Sequence, residues 1–470
     1  MIPLHLYEII KATKGRIIAS NRNRIYTAPF DIPSGGLCEC VINRVSTDSR
    51  TVKKGDLFIA LKGDNFDGHH FINKAISRGA SAIIVSRIPK GIKNSKTPII
   101  NVKDTLLALG DIARYYRKQL SIPVIAIGGS NGKTTTKDMI AHILSKYYSV
   151  TKSPKSFNNF IGLPLTILAT DAQTQYLVAE VGTNKPGEIA YLSEILSPDT
   201  AVITNISATH LDGLKTLNGV FREESTLFKS LKNSATAVFD SDNKDLKRLS
   251  KYAEYKSVTF GINGQSDIRA GRIKVSPTGI RFTISIRSGG RYDCFIPVLG
   301  SWNIKNALAA FAAVQHLGLK PKEICQALKD FKLPEMRMDK RLRNGITFIN
   351  DAYNANPISV GLVIKDLSGM KTPGRKILIF GEMRELGRYS RRFHEEAADN
   401  IAQSNIDMLV AIGPETKYTI NKLLRLKPRN KTVFYYETVN QALPTLNKIL
   451  KTGDTVLLKG SRTNALERII

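Results

Sequence analysis

Closely spaced glycines followed by a lysine and threonines can hold the phosphates of a nucleotide. Residues 126–134 read Ala-Ile-Gly-Gly-Ser-Asn-Gly-Lys-Thr. An apolar run enters this segment and a helical pattern leaves it, so strand, turn and helix N-terminus follow in order. Gly129 and Gly132 let the backbone curl so that its N–H groups, with those of Ser130 and Asn131, converge on phosphate oxygens. Lys133 brings a point charge to the β- and γ-phosphates, and the Thr134 hydroxyl reaches Mg²⁺, with Thr135 in the same helical turn. The helix N-terminus adds partial positive charge. The strict G-x-x-x-x-G-K-[ST] pattern needs glycine at 127, where this chain has Ile127. A plain Gly-rich turn is the bland alternative. The strand–turn–helix context and the Lys-Thr-Thr-Thr run outweigh it, and ATP-type phosphate binding is expected.

Two side chains could complete a metal–phosphate site. Glu180 closes an apolar run over 177–181, and a carboxylate at a strand end suits Mg²⁺, which prefers oxygen and keeps waters. His210 follows another such run, although a lone histidine is more often structural. His394-Glu-Glu has no second histidine at 398, which excludes an H-E-x-x-H zinc site. Cys38-x-Cys40 has no partner pair, which argues against structural zinc.

The elements that must position these residues fall into three blocks. Residues 1–120 carry short apolar runs at 57–61 and 82–85 with a helix over 71–78 and a turn at Gly79, a modest mixed α/β module. Ser-Ile-Pro at 121–123 breaks the preceding helix and opens the second block, 121–333. There Met139, Ile140, Ile143, Leu144 and Tyr147 share one helical face, and strands alternate with helices, implying a covered parallel sheet. Residues 257–300 read as a small antiparallel insertion. In the third block, 334–470, polar or glycine residues follow most apolar runs, as ligand-binding positions do in a Rossmann-like doubly wound sheet.

The chain has 470 residues and a formal net charge of +29, divided as +11, +9 and +9 over the three blocks. Length and composition fit a folded protein of about three domains. The basic excess favours polyanions in general, but it is dispersed, and a single Trp offers little for base stacking. A basic P-loop nucleic-acid ATPase is therefore disfavoured, and no nucleic-acid partner is expected. No run approaches the ~18 apolar residues of a membrane span. The first residues lack a basic signal-peptide n-region, and four scattered cysteines do not make a disulfide framework. A soluble, cytoplasmic, monomeric protein is expected.

The ordered series of motifs resembles the Mur ligases of peptidoglycan synthesis over nearly the whole chain, and within them the type that adds D-alanyl-D-alanine. Asp-Ser-Arg at 48–50, followed by 57–63 and Phe-Asp-Gly-His at 66–69, looks like the UDP-binding domain, with Ser49 and Arg50 as substrate contacts. The segment 155–164, with Asn158 and Asn159, resembles a substrate-contacting loop. Glu180 and His210 then look like a metal-binding pair. Gly-Ser-Trp-Asn-Ile-Lys-Asn at 300–306 resembles the G-x-H-N-x-x-N segment near the adenine, with Trp302 for His; it implies nucleotide roles for Asn303 and Asn306. Asn-Asp-Ala-Tyr-Asn-Ala-Asn-Pro at 350–357 is similar to the D-D-[SA]-Y-N-A-N-P signature, which implicates Asn354 and Asn356. Arg337 and Asp351 take nucleotide positions, and Lys459 and Arg462 complete the C-terminal substrate set.

The resemblance implies an ATP- and Mg²⁺-dependent amide ligase that joins D-alanyl-D-alanine to UDP-MurNAc-tripeptide through an acyl phosphate. Other Mur amino-acid ligases and folylpolyglutamate synthetases share the P-loop, but the 353–357 signature and the 48–50 segment disfavour them. One departure stands out. Many members carry a carbamylated lysine within K-x-x-[IL]-[FY]; here the aligned segment is Glu224-Ser-Thr-Leu-Phe. Glu224 is expected to supply that carboxylate, directly or through water, as a further metal ligand.

Overall fold

The computed structural model describes residues 1–18, 25–26 (backbone only), 40–88, 97–249 and 255–470; Cys38 lies outside them. The chain forms two compact units. One comprises 1–126, 148–181 and 190–199; the other comprises 127–147, 182–189 and 200–470.

In the first unit a six-stranded sheet runs Ile25–Tyr26, Arg16–Ile18, Ile99–Asn101, Ala82–Val85, Asp56–Ile59, Arg44–Ser46. Its last four strands are parallel. Ala82–Val85 is buried throughout, as expected of a parallel strand covered on both faces. The expected helix over 71–78 is a 3-10 turn, Gly68–Phe71, leading into the helix Ile72–Ser77, with Gly79 following at φ +90°. The same unit holds the parallel pair Val150–Lys152 and Tyr176–Glu180.

The second unit contains two sheets. Thr200–Ile203, Thr236–Asp240 and Lys256–Gly261 are parallel neighbours. Ile268–Ser276, Gly279–Ile286 and Arg291–Ile296 extend them as an antiparallel meander. The insertion is thus smaller than its sequence suggests, because 256–261 pairs parallel with Thr236–Asp240. The other sheet runs Asp339–Arg343, Ile346–Asp351, Thr455–Lys459, Lys376–Gly381, Met408–Ile412, Thr432–Tyr436. All its pairings are parallel except the edge pairing of Asp339–Arg343. Lys340, Arg341 and Arg343 on that edge strand discourage pairing with another chain. The α/β, parallel-sheet expectation holds.

The P-loop helix is Lys133–Leu144, with Met139, Ile140, Ile143 and Leu144 buried. Tyr147 does not continue that face: the helix ends before it, and the ring is 47% exposed. Among the described residues no helix is long and apolar enough to cross a membrane.

Candidate active site

The P-loop is held by its neighbours through backbone groups. The N–H of Gly129 donates to Glu224 Oε2 at 2.8 Å, that of Ser130 to the Asn205 carbonyl at 2.9 Å, and that of Asn131 to Asn205 Oδ1 at 3.0 Å. Ser130 and Ser207 exchange a reciprocal pair of bonds. In this structure these three amides donate to neighbouring protein groups, which tie the loop to the segments around Asn205 and Glu224. The N-terminus of the helix that Lys133 begins is suited to an anion, because the first-turn amides of a helix have no intrahelical acceptors. Lys133 Nζ donates to the Gly129 carbonyl at 2.5 Å, which sets its ammonium over the loop.

Both P-loop glycines are required by space as well as by backbone angle. Gly129 has φ +114°, and a Cβ there would stand 2.4 Å from Thr204 Oγ1 and 2.9 Å from two backbone atoms. Gly132 has φ +81°, and a Cβ would stand 2.3 Å from Asn306 Oδ1. Asn306 is therefore packed on the loop, and its amide donates to Asn303 Oδ1 at 2.8 Å. Asn303 in turn donates to the Leu299 carbonyl. Trp302, one residue earlier, packs against the core of the 334–470 sheet.

Four ionisable groups, Lys133, His210, Glu224 and Glu385, gather beside the loop. Glu224 is 1% exposed on the helix Leu217–Lys229. Burial pushes its carboxyl up, opposed by Lys133, the Gly129 N–H and His210. His210 sits in the left-handed region (φ 52°) at the head of the short helix Leu211–Leu214, and its Nδ1 lies 2.6 Å from Glu385 Oε2. That contact holds the Glu385 carboxyl below its usual range despite burial. The Asp212 N–H donates to the Glu385 carbonyl, so the 382–387 loop also grips this helix through its backbone.

The 334–470 segment supplies further contacts. Arg337 Nη2 donates to Thr134 Oγ1 at 2.9 Å, and its guanidinium lies 4.3 Å from the Tyr353 ring centroid. Asn356 caps the helix Pro357–Gly369 through Ser359 N–H and donates to Asn131 Oδ1 at 2.5 Å. Asp351 and Lys459 are both buried and pair at 2.6 Å, while Asp351 Oδ1 also accepts Met338 N–H. Arg462 pairs with Glu467 at 3.1 Å and contacts Met336 Sδ. Asn354 is exposed.

The first unit holds the other expected residues. Glu180 is 2% exposed and its Oε1 accepts the Asn158 amide at 2.8 Å. Asn159 Oδ1 accepts the N–H groups of Ile161 and Gly162, so it helps begin the helix Gly162–Leu168. Ser49 is buried, and Arg50 is exposed and pairs with Asp48, whose carboxyl that pairing lowers to about 2. His394, rejected as a zinc ligand, is fully buried; its Nε2 accepts Met383 N–H and its Nδ1 meets the Ser390 carbonyl.

Sequence reasoning missed Asn205, Glu385 and Glu223 as structural partners of the site. Asn205 comes shortly after a strand end, and Glu385 lies in a loop after another. Glu223 and Glu224 sit between Val220 and Leu227 on the buried stripe of an amphipathic helix, where a carboxylate is out of place unless it has a partner.

Residues 41–117 match the Mur ligase family catalytic domain, 127–314 the Mur ligase middle domain, and 336–462 the Mur ligase glutamate ligase domain. The UDP-N-acetylmuramoyl-tripeptide–D-alanyl-D-alanine ligase of Bacillus subtilis (strain 168) is 35% identical over 92% of this chain and 93% of its own. The chain belongs to the Mur ligase family. The Escherichia coli (strain K12) ligase of the same name is 34% identical over 94% of this chain and 96% of its own. Among solved structures, MurF from Acinetobacter baumannii superposes with TM-score 0.87 at 29% identity, covering 99% of this chain and 98% of that one. MurF from Thermotoga maritima, solved in complex with ADP, superposes with TM-score 0.80 at 29% identity over 91% of this chain and 96% of that one.

Proposed function

We propose that the chain is the ATP-dependent amide ligase that joins D-alanyl-D-alanine to UDP-N-acetylmuramoyl-tripeptide in peptidoglycan precursor synthesis, in the cytoplasm. The observation that carries this reading is the meeting of the 350–357 signature region with the P-loop: Asn356 on Asn131, and Arg337 between Thr134 and Tyr353. The proposed division is a UDP-substrate domain (1–120), an ATP domain (121–333) and a Rossmann-like domain (334–470).

In the proposed reaction the tripeptide's terminal carboxylate attacks the γ-phosphate in line, giving an acyl phosphate and ADP. The amine of D-alanyl-D-alanine then attacks the acyl carbon and phosphate departs. The barrier to the first step is repulsion between a carboxylate and a triphosphate, so positive charge must be concentrated there. Lys133 and the first-turn amides bind the phosphates. Arg337 adds a guanidinium fixed by Tyr353 stacking and Thr134, and Asn303, Asn306 and Asp351 shape the nucleotide side. Asp351 acts through the Lys459 pair, which keeps both charges compensated while buried. Ser49 and Arg50 serve the UDP end; Asn158, Asn159, Asn354, Asn356, Lys459 and Arg462 serve the peptide substrates.

Thr134, Glu180, His210 and Glu224 are the residues assigned to Mg²⁺. The donor chemistry fits: three of the four offer oxygen, and Glu224 brings a buried carboxyl. Among the described residues no three of His, Cys, Asp and Glu cluster to enclose an ion. Mg²⁺ takes one or two carboxylates and completes its shell with phosphate oxygens and water. When bound, the ion neutralises phosphate charge.

Lys133→Ala tests the assignment. Phosphate release should fall at least roughly a hundredfold, with UDP-MurNAc-tripeptide affinity by calorimetry held within about threefold. Parallel loss of both in a folded variant would refute separate nucleotide and UDP sites.

A further inference from the structure

The helix Leu217–Lys229 buries two consecutive glutamates, and they serve different loops. Glu224 holds Gly129 of the P-loop. Glu223, 6% exposed, turns to residues 183–189: its Oε2 accepts Gly187 N–H at 2.8 Å and its Oε1 accepts Ile189 N–H at 2.8 Å. Glu188 closes the same turn from within, its Oε2 accepting Asn184 N–H at 2.6 Å and Lys185 N–H at 3.1 Å. On its other side the turn is packed on the helix that His210 opens. A Cβ on Gly213 would stand 1.8 Å from the Asn184 carbonyl oxygen. Asn184, Lys185 and Pro186 remain exposed at the tip.

The helix Glu188–Leu196 thus begins with amides satisfied by a carboxylate from a distant helix. A Ser, Thr, Asp or Asn at its own N-terminus would satisfy such amides locally. Placing Glu223 on an apolar stripe instead incurs a desolvation cost, which only its fixed partners offset. What the distant carboxylate adds, and a local cap would not, is a fixed position for the turn relative to the helix Leu217–Lys229 and, through Gly213, to the His210 helix.

We propose that Glu223 is a positioning residue for the ligase reaction, fixing the 183–189 turn against the His210 helix independently of the P-loop that Glu224 anchors. The proposal rests on the functional reading above. It is tested with Glu223→Ala and Glu223→Gln in the full chain, by hydrogen exchange, ADP affinity and D-alanyl-D-alanine-dependent phosphate release. Exchange in 183–189 should accelerate in Glu223→Ala while exchange over 127–136 does not change. ADP affinity should stay within about twofold, and kcat should fall roughly tenfold or more, as a slightly misplaced group demands. Glu223→Gln should recover part of kcat, because one carboxamide oxygen can accept one of the two amides. Wild-type kcat with a loosened turn, unchanged exchange in 183–189, or ADP affinity falling in parallel would overturn the proposal. If Glu223→Ala does not fold, Glu223→Gln decides it by the same criteria. A wild-type enzyme without D-alanyl-D-alanine-dependent release would instead sink the functional reading, and the exchange comparison would then decide alone whether Glu223 holds the turn.

Discussion

Replacing Glu224 by Gln and by Ala separates its two jobs. The side chain is 1% exposed and accepts one backbone N–H, from Gly129, at 2.8 Å. Alanine leaves that buried N–H without its acceptor, a loss of about 1–3 kcal/mol, and opens a small cavity besides. Glutamine keeps an oxygen for the bond, at a strength about 1 kcal/mol lower for a neutral acceptor, but no longer buries a charge. Glu224→Ala should therefore lower the thermal midpoint of the nucleotide-free protein by several degrees, at roughly 2–4 °C per kcal/mol. Glu224→Gln should stay within about 1 kcal/mol of wild type. Both should lose ligase activity.

The pH dependence gives a second handle on the same residue. Burial raises the Glu224 carboxyl, so the folded chain keeps this proton to higher pH than the unfolded chain does. The stabilising effect of protonation is complete below the unfolded value, about 4.3, and is lost as pH rises through the folded value. Glutamine has no such slope, so the midpoint of Glu224→Gln relative to wild type should climb from about pH 4.5 upward. Differential scanning fluorimetry of the three proteins across pH reads both effects. Equal midpoints for the Ala and Gln variants, or a Gln–wild-type difference that is flat with pH, would refute the reasoning.

Gly129→Ala should abolish ADP binding measured by calorimetry, because a Cβ there meets Thr204 and Asn205 atoms at 2.4–2.9 Å in a backbone conformation that alanine resists. Lys459→Met leaves Asp351 buried beside a lost partner 2.6 Å away, so urea unfolding should register a loss of about 3–5 kcal/mol in the transition of that sheet. Because Glu224 already carries a carboxylate, turnover in CO₂-depleted buffer should be unaffected by added bicarbonate. A several-fold stimulation would mean that a carbamate forms elsewhere.

The P-loop was legible because its chemistry is contiguous: strand, glycines, Lys133 and helix lie within about a dozen residues, and local patterns report local structure. The acceptor for Gly129 was not, since Glu224 lies 95 residues downstream and only the fold unites them. Apolar periodicity placed Met139 to Leu144 correctly but overran to Tyr147, since it carries no signal for where a helix ends without a Gly or Pro stop. Apolar runs found the strands of 334–470 without their order, and that order is what sets Lys459 beside Asp351. For Asn159 the family resemblance implies a substrate contact, and the structure adds that its oxygen helps start a helix, a local role that the motif does not announce.

The central claim is tested most directly by the wild-type protein with ATP, Mg²⁺ and UDP-MurNAc-tripeptide, following phosphate release and product mass together. The account predicts that adding D-alanyl-D-alanine triggers one phosphate per UDP-MurNAc-pentapeptide formed. Phosphate release that ignores D-alanyl-D-alanine, or a pentapeptide that never appears, would contradict it.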